Sequence, residues 1–126
     1  MIPEQIKPTE AELEILQVLW HKENATVREV HEVLNVYKDS GYTTTLKLMQ
    51  IMFDKKLVTR DESAKKHVYM ASVSKEKAQK HLVGKMIRSL FEGSATELVI
   101  QALGNTKPSQ DEIRQIQKLL NDLKSK

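Results

Sequence analysis

The stretch from Tyr42 to Ala71 constrains this chain more than any other. It reads YTTTLKLMQIMFDKKLVTRDESAKKHVYMA. Apolar residues recur with helical period as far as about Lys56, with Thr45, Leu48, Met49 and Met52 predicted inward. The pattern then switches to short β-favouring runs, about Leu57–Arg60 and His67–Ala71, around a charged turn. The spacing therefore predicts a helix from Thr43 or Thr44 that leads directly into a β-hairpin. Both elements carry basic residues.

The flanking sequence supplies further helices. Thr9-x-x-Glu12, Thr26-x-x-Glu29, Ser94-x-x-Glu97 and Ser109-x-x-Glu112 all fit the capping box, in which hydroxyl and carboxylate satisfy each other's orphan amides. Helices are predicted at about Glu10–His21, with Leu13, Leu16, Leu19 and Trp20 on one stripe, and at about Val27–Val36. Asp39-Ser40-Gly41 breaks the second. After the hairpin, Ser74 starts a helix that Gly93 ends, followed by helices at about Ala95–Leu103 and Gln110–Leu123. The fold class expected is mostly α with a small β-hairpin. The boundary falls near Val73-Ser74, giving domains of residues 1–73 and 74–126.

Charge is segregated along the chain. Residues 1–42 carry four basic side chains against eight acids, and residues 43–88 carry eleven against four. A basic central block suits a polyanion partner, although a solvated lysine-rich face has the same composition. The chain has no cysteine, which excludes disulfides, thiolate metal sites and cysteine nucleophiles. No apolar run nears the roughly 20 residues that span a bilayer, and MIPEQIKPTE has no signal-peptide core. The expectation is a cytoplasmic protein without membrane insertion. His31-Glu32-Val33-Leu34-Asn35 is a metal-binding HExxH with its second histidine missing. Nothing points to an enzyme, a metal or a cofactor, and Met49, Met52, Met70 and Met86 read as core gap-fillers.

Three helices followed by a hairpin form a winged helix-turn-helix, whose third helix enters the DNA major groove. Thr43, Thr44, Leu46, Lys47 and Gln50 share the face of that helix opposite Leu48 and Met52. Threonine hydroxyls suit phosphates or base edges, Lys47 suits guanine acceptors or a phosphate, and Gln50 suits adenine. Leu46 fits a thymine methyl or a half-buried core position equally well. In the hairpin, Arg60, Lys65 and Lys66 flank the turn, as phosphate clamps or as an ordinary solvated tip. Lys55 and Lys56 suit the dipole at the helix end without DNA.

The three C-terminal helices have long apolar stripes and few aromatics. Such helices are expected to bury those stripes against a second copy, as a helical dimerisation region. The stripe residues include Leu82, Met86, Leu90, Phe91, Leu98, Val99, Ile116, Leu119 and Leu120.

From about Lys7 to Leu123 the chain resembles the penicillinase repressor (BlaI/MecI/CopY) family of bacterial transcription regulators. The segments that carry the resemblance are PTEAELEILQVLW, ATVREV, GYTTTLKLMQIMFDKKLVTRD, SLFEGS, ELVIQAL and SQDEIRQIQKLL. The resemblance implies a homodimeric repressor on a near-palindromic double-stranded DNA operator, controlling genes for β-lactam resistance or metal response. It also implies a membrane-bound sensor metallopeptidase, whose signalling leads to cleavage in the dimerisation region. The family's Asn-Phe cleavage position is matched here by Gln101 and Ala102. Two further departures are Ile51 in place of a common arginine and Lys56 in place of a helix-ending glycine. The cysteines of the copper-responsive branch are absent. The competing expectation is a winged-helix protein-interaction adaptor without sequence-specific DNA binding.

Overall fold

Hydroxyl-capped helix starts organise residues 8–126, which this computed structural model describes. Lys7 and the rest of residues 1–7, assigned above to the first domain, lie outside the described residues. The order is α1 (Glu10–Lys22), α2 (Val27–Leu34), α3 (Tyr42–Asp54), β1 (Val58–Asp61), β2 (Val68–Ala71), α4 (Lys75–Leu90), α5 (Ala95–Gly104) and α6 (Gln110–Lys124). This is a mostly helical winged-helix architecture with one small hairpin. The packing divides the chain within α4, between Leu82 and Val83. The expected boundary at Val73-Ser74 is the loop that leads into α4.

Thr9, Thr26 and Ser109 form complete capping boxes with Glu12, Glu29 and Glu112. The fourth is only half made. Ser94 Oγ accepts from the Glu97 amide, but the Ser94 amide donates to the Phe91 carbonyl at 2.8 Å instead of to Glu97. The tight turn after α4 has taken that donor.

In the unit that extends to Leu82, α1, α2, α3 and the hairpin share one core. Ile15, Leu16, Val30, Met49, Met52 and Tyr69 lie at its centre, fully or almost fully removed from water. Strand β1 pairs antiparallel with β2 in the register Val58↔Ala71 through Asp61↔Val68. The α1–α2 turn adds a rung that the sequence did not reveal. Ala25 and Tyr69 exchange both backbone hydrogen bonds, at 3.0 and 2.8 Å, and Ala25 is wholly buried. The hairpin is thereby anchored to the helical layer as well as to itself.

Helix α2 ends at Leu34, two residues short of the predicted Val36. Val36 and Tyr37 donate to carbonyls three residues back, at Val33 and Leu34, which tightens the chain into turns. Val36 is 84% exposed, so no packing draws it into the helix. Helix α3 begins at Tyr42, earlier than predicted, because Gly41 takes the N-cap place. Two of the expected methionine gap-fillers are exposed instead, Met70 and Met86. Met70 follows buried Tyr69 in β2, and strand alternation turns it outward.

Helix α3 closes with a Schellman arrangement. The Leu57 amide donates to Met52 at 2.9 Å, and the Lys56 amide donates to Phe53 at 3.0 Å. Lys56 itself is left-handed, at φ 66°, where a Cβ is strained and glycine is not. Lys56→Gly is therefore expected to stabilise the protein by about 1 kcal/mol. That gain should raise the melting temperature by roughly 4–8 °C. Thermal unfolding followed by circular dichroism checks it, and an unchanged or lower midpoint counts against the strain.

In the unit from Val83 onward, α5 and α6 contain no buried residue. Leu90, Val99, Ile100, Leu119, Leu120 and Leu123 are each about half exposed or more. Of the stripe residues read from the sequence, Met86, Leu90, Val99, Leu119 and Leu120 thus remain open in a single chain, while Leu82, Phe91, Leu98 and Ile116 are half-buried. No helix among the described residues is long and apolar enough to cross a membrane.

Candidate nucleic-acid interface

The first turn of α3 presents Thr43 and Thr44 to solvent, and Lys47 and Gln50 continue the exposed face. Inward, the same helix buries Thr45, Met49 and Met52, so one set of positions fixes the orientation of the other. Leu46 is half-buried and packs against the core, with its remaining surface open to a cleft.

That cleft, of about 420 Å³, lies between the start of α2, the outer face of α3 and the hairpin. It brings together Leu46, Gln50, Arg60, Lys65 and Lys66, all named from the sequence. Thr43, Thr44 and Lys47 stand outside it, elsewhere on the exposed side of α3. Thr26, Val27, Arg28, Tyr42, His67 and Tyr69 complete the lining. No carboxylate is among these residues, whereas four of them are Lys or Arg.

Arg60 differs from the two lysines. Its guanidinium carbon sits 3.9 Å from the centre of the Phe53 ring. Its Nε donates to Glu62 at 2.5 Å, and Nη1 reaches the Tyr69 hydroxyl at 3.4 Å. The pair with Glu62 raises the Arg60 pKa and holds the Glu62 carboxyl below the usual carboxylate range. The Ser63 hydroxyl and amide lower the pKa of Asp61, whose Oδ1 accepts the Ser63 amide at 2.9 Å. Both hairpin acids thus have local partners. Lys65 and Lys66 are exposed at the tip.

Several residues here escaped sequence reasoning. Arg28 on α2 lies 5.1 Å from the centre of the Tyr42 ring, and His31, one turn on, meets that ring edge-on at 5.8 Å. His31 Nδ1 also lies 3.2 Å from Thr45 Oγ1. Arg28 and His31 are three apart on α2, as are Tyr42 and Thr45 on α3, so facing sides of the two helices interlock. The only available signal was the i, i+3 spacing, which does not name the partner helix. A second missed pair lies behind the interface. Lys55 at the end of α3 donates to both oxygens of Glu12 at 3.0 Å, and Glu12 is 1% exposed.

The residues expected at a dimer contact are distributed over three helices. Leu82, Met86 and Leu90 are on α4, with Phe91 just beyond its end; Leu98 and Val99 are on α5; Ile116, Leu119 and Leu120 are on α6. Gln101 and Ala102 are exposed on α5.

The penicillinase repressor family matches this chain over residues 8–122. The penicillinase repressor of Staphylococcus aureus is 21% identical over the full length of both chains. The methicillin resistance regulatory protein MecI of Staphylococcus aureus strain N315 is 24% identical over 111 residues, covering 88% of this chain and 90% of that protein. A solved MarR family transcriptional regulator from Silicibacter pomeroyi overlays with a TM-score of 0.47 at 20% identity, over 93% of this chain and 69% of its own. The family match spans nearly the whole winged-helix and helical sequence, and the chain belongs to the penicillinase repressor family.

Proposed function

We propose that this chain is a homodimeric transcriptional repressor that holds a near-palindromic double-stranded DNA operator through two winged helices. The observation that carries the reading is the exposed hydroxyl- and amide-bearing face of α3 beside a cleft that, among the described residues, has four cationic linings and no acidic one. Base edges are read by such a helix face, while phosphates are held by the surrounding cations. Residues 1–73 form the DNA-binding domain and residues 74–126 the dimerisation domain. The open apolar stripes of α4, α5 and α6 support the dimer. Relatives named for penicillinase and for methicillin resistance point to antibiotic-resistance genes as the regulated class. Derepression follows proteolysis in the dimerisation region, prompted by a membrane-bound sensor metallopeptidase, with exposed Gln101–Ala102 as the position to examine. The protein works in the cytoplasm.

The test is a fluorescence-anisotropy titration against the DNA upstream of the chain's own gene, with competitor DNA present. Binding should be preferential and fall steeply with salt. Thr44→Ala and Lys47→Ala should each reduce discrimination by about 1–3 kcal/mol where the side chain makes a strong base contact. Equal affinity for operator and competitor would favour the adaptor reading. Unchanged discrimination in both variants would move base reading off α3.

A further inference from the structure

The cleft beside α3 contains two guanidinium groups, and they are placed differently. Arg60 already has three internal partners: the Phe53 ring, the Tyr69 hydroxyl and the Glu62 carboxylate. Its charge is largely answered within the protein. Arg28 is exposed, and its guanidinium carbon lies over the Tyr42 ring, 5.1 Å from the centroid. An aromatic face steadies a guanidinium without consuming its N–H donors, which lie in the plane of the group. Tyr42 is in turn held by the edge-on contact with His31. Arg28 is therefore oriented and still has its hydrogen-bonding capacity. Lys65 and Lys66 line the same cleft, and no carboxylate among the described residues does.

The N-terminal amides of α2 are not the attraction. Thr26 and Glu29 already satisfy one another there, and the Thr26 bonds lower the Glu29 pKa. What remains is a planar, pre-oriented cation facing a cleft with lysines on the hairpin side. That arrangement suits a tetrahedral oxyanion held in a fork of N–H donors.

We propose that Arg28, lying over the Tyr42 ring, binds a DNA backbone phosphate at this cleft, with Tyr42 as its positioning residue. The inference rests on the operator-binding reading and deepens it. It moves the guanidinium–phosphate contact from the hairpin to the start of α2. A phosphate contact fixes register on the duplex and carries no base information. Loss of Arg28 should therefore weaken all DNA binding by one factor.

The experiment uses the full chain, a labelled duplex from upstream of its own gene and a random-sequence duplex of equal length. Affinity for each is measured over a salt series. Arg28→Ala should lower affinity for both about eightfold at 0.1 M salt and make the log–log salt slope shallower by about 0.9, as expected for one lost phosphate contact. The ratio of the two affinities should not move. Tyr42→Phe keeps the ring, removes the hydroxyl and should leave the slope at its wild-type value. A wild-type slope in Arg28→Ala overturns the proposal, as does a loss confined to the upstream duplex. A shallower slope in Tyr42→Phe transfers the contact to the hydroxyl and overturns the platform role. If the wild type binds neither duplex, the repressor reading fails first and takes this inference with it. If the wild type binds and Arg28→Ala is indistinguishable from it, only this inference fails.

Discussion

Lys55→Met is expected to lower the stability of the winged-helix unit by about 3 kcal/mol, near the lower end for breaking a buried ion pair. Glu12 is held in the interior by Lys55 and by the Thr9 amide, which donates to Oε1 at 2.8 Å. Methionine fills the lysine stem's space but leaves a buried carboxylate with one neutral donor. The penalty is then the desolvation of an uncompensated charge, not the modest worth of the pair. Lys55 keeps about a third of its side-chain surface in water, so some solvent reaches the site and holds the effect at this level. The melting temperature should fall by roughly 12 °C or more. Glu12→Gln combined with Lys55→Met should recover much of the loss, because the charge has gone with its partner. Urea unfolding of the four proteins in the cycle measures the loss and its recovery, and thermal unfolding measures the shift in midpoint. A loss under about 1 kcal/mol in Lys55→Met would show that Glu12 is not held by this ion pair.

The second large effect concerns association. Leu119 and Leu120 are more than half exposed on α6. A leucine fully buried at an interface contributes about 1.5–3 kcal/mol. The double variant Leu119→Glu/Leu120→Glu removes two such contributions and places two charges where a partner would exclude water. If the proposed dimer forms, the wild type should sediment as a dimer at micromolar concentration and this variant as a monomer. Operator affinity should drop by about 10²–10⁴, the factor supplied by linking two half-site contacts. The thermal transition of the winged-helix unit should persist, because neither leucine belongs to its core. A variant that stays dimeric would place the contact on another helix face.

Local, periodic features were legible in the sequence. The stripes of Leu16 and Leu19 on α1 and of Met49 and Met52 on α3, the hairpin and three of the four capping boxes follow from spacing alone. Pairings across long sequence separations were not. Glu12 was assigned to a cap, which it does make, but nothing in the spacing announced Lys55, 43 residues later. Arg60, beside the turn, read equally as a phosphate clamp or as part of a solvated hairpin tip. Its enclosure by Phe53, Tyr69 and Glu62 is a tertiary property. Arg28 was passed over because one arginine on a predicted amphipathic helix looks like solvated surface. The end of α2 was overestimated because Val36 continues an apolar run, and periodicity does not say whether anything waits to cover it.

The half-buried Trp20 is the chain's single tryptophan, and its indole Nε1 donates to the Val73 carbonyl at 2.9 Å. Val73 and Ala78, buried beside that ring, carry the chain from the hairpin into α4. The molecule therefore has a built-in optical gauge at this junction. Detaching Val73 would hydrate the indole and shift its emission to the red. Intrinsic fluorescence, without any label, would report loosening at the start of α4.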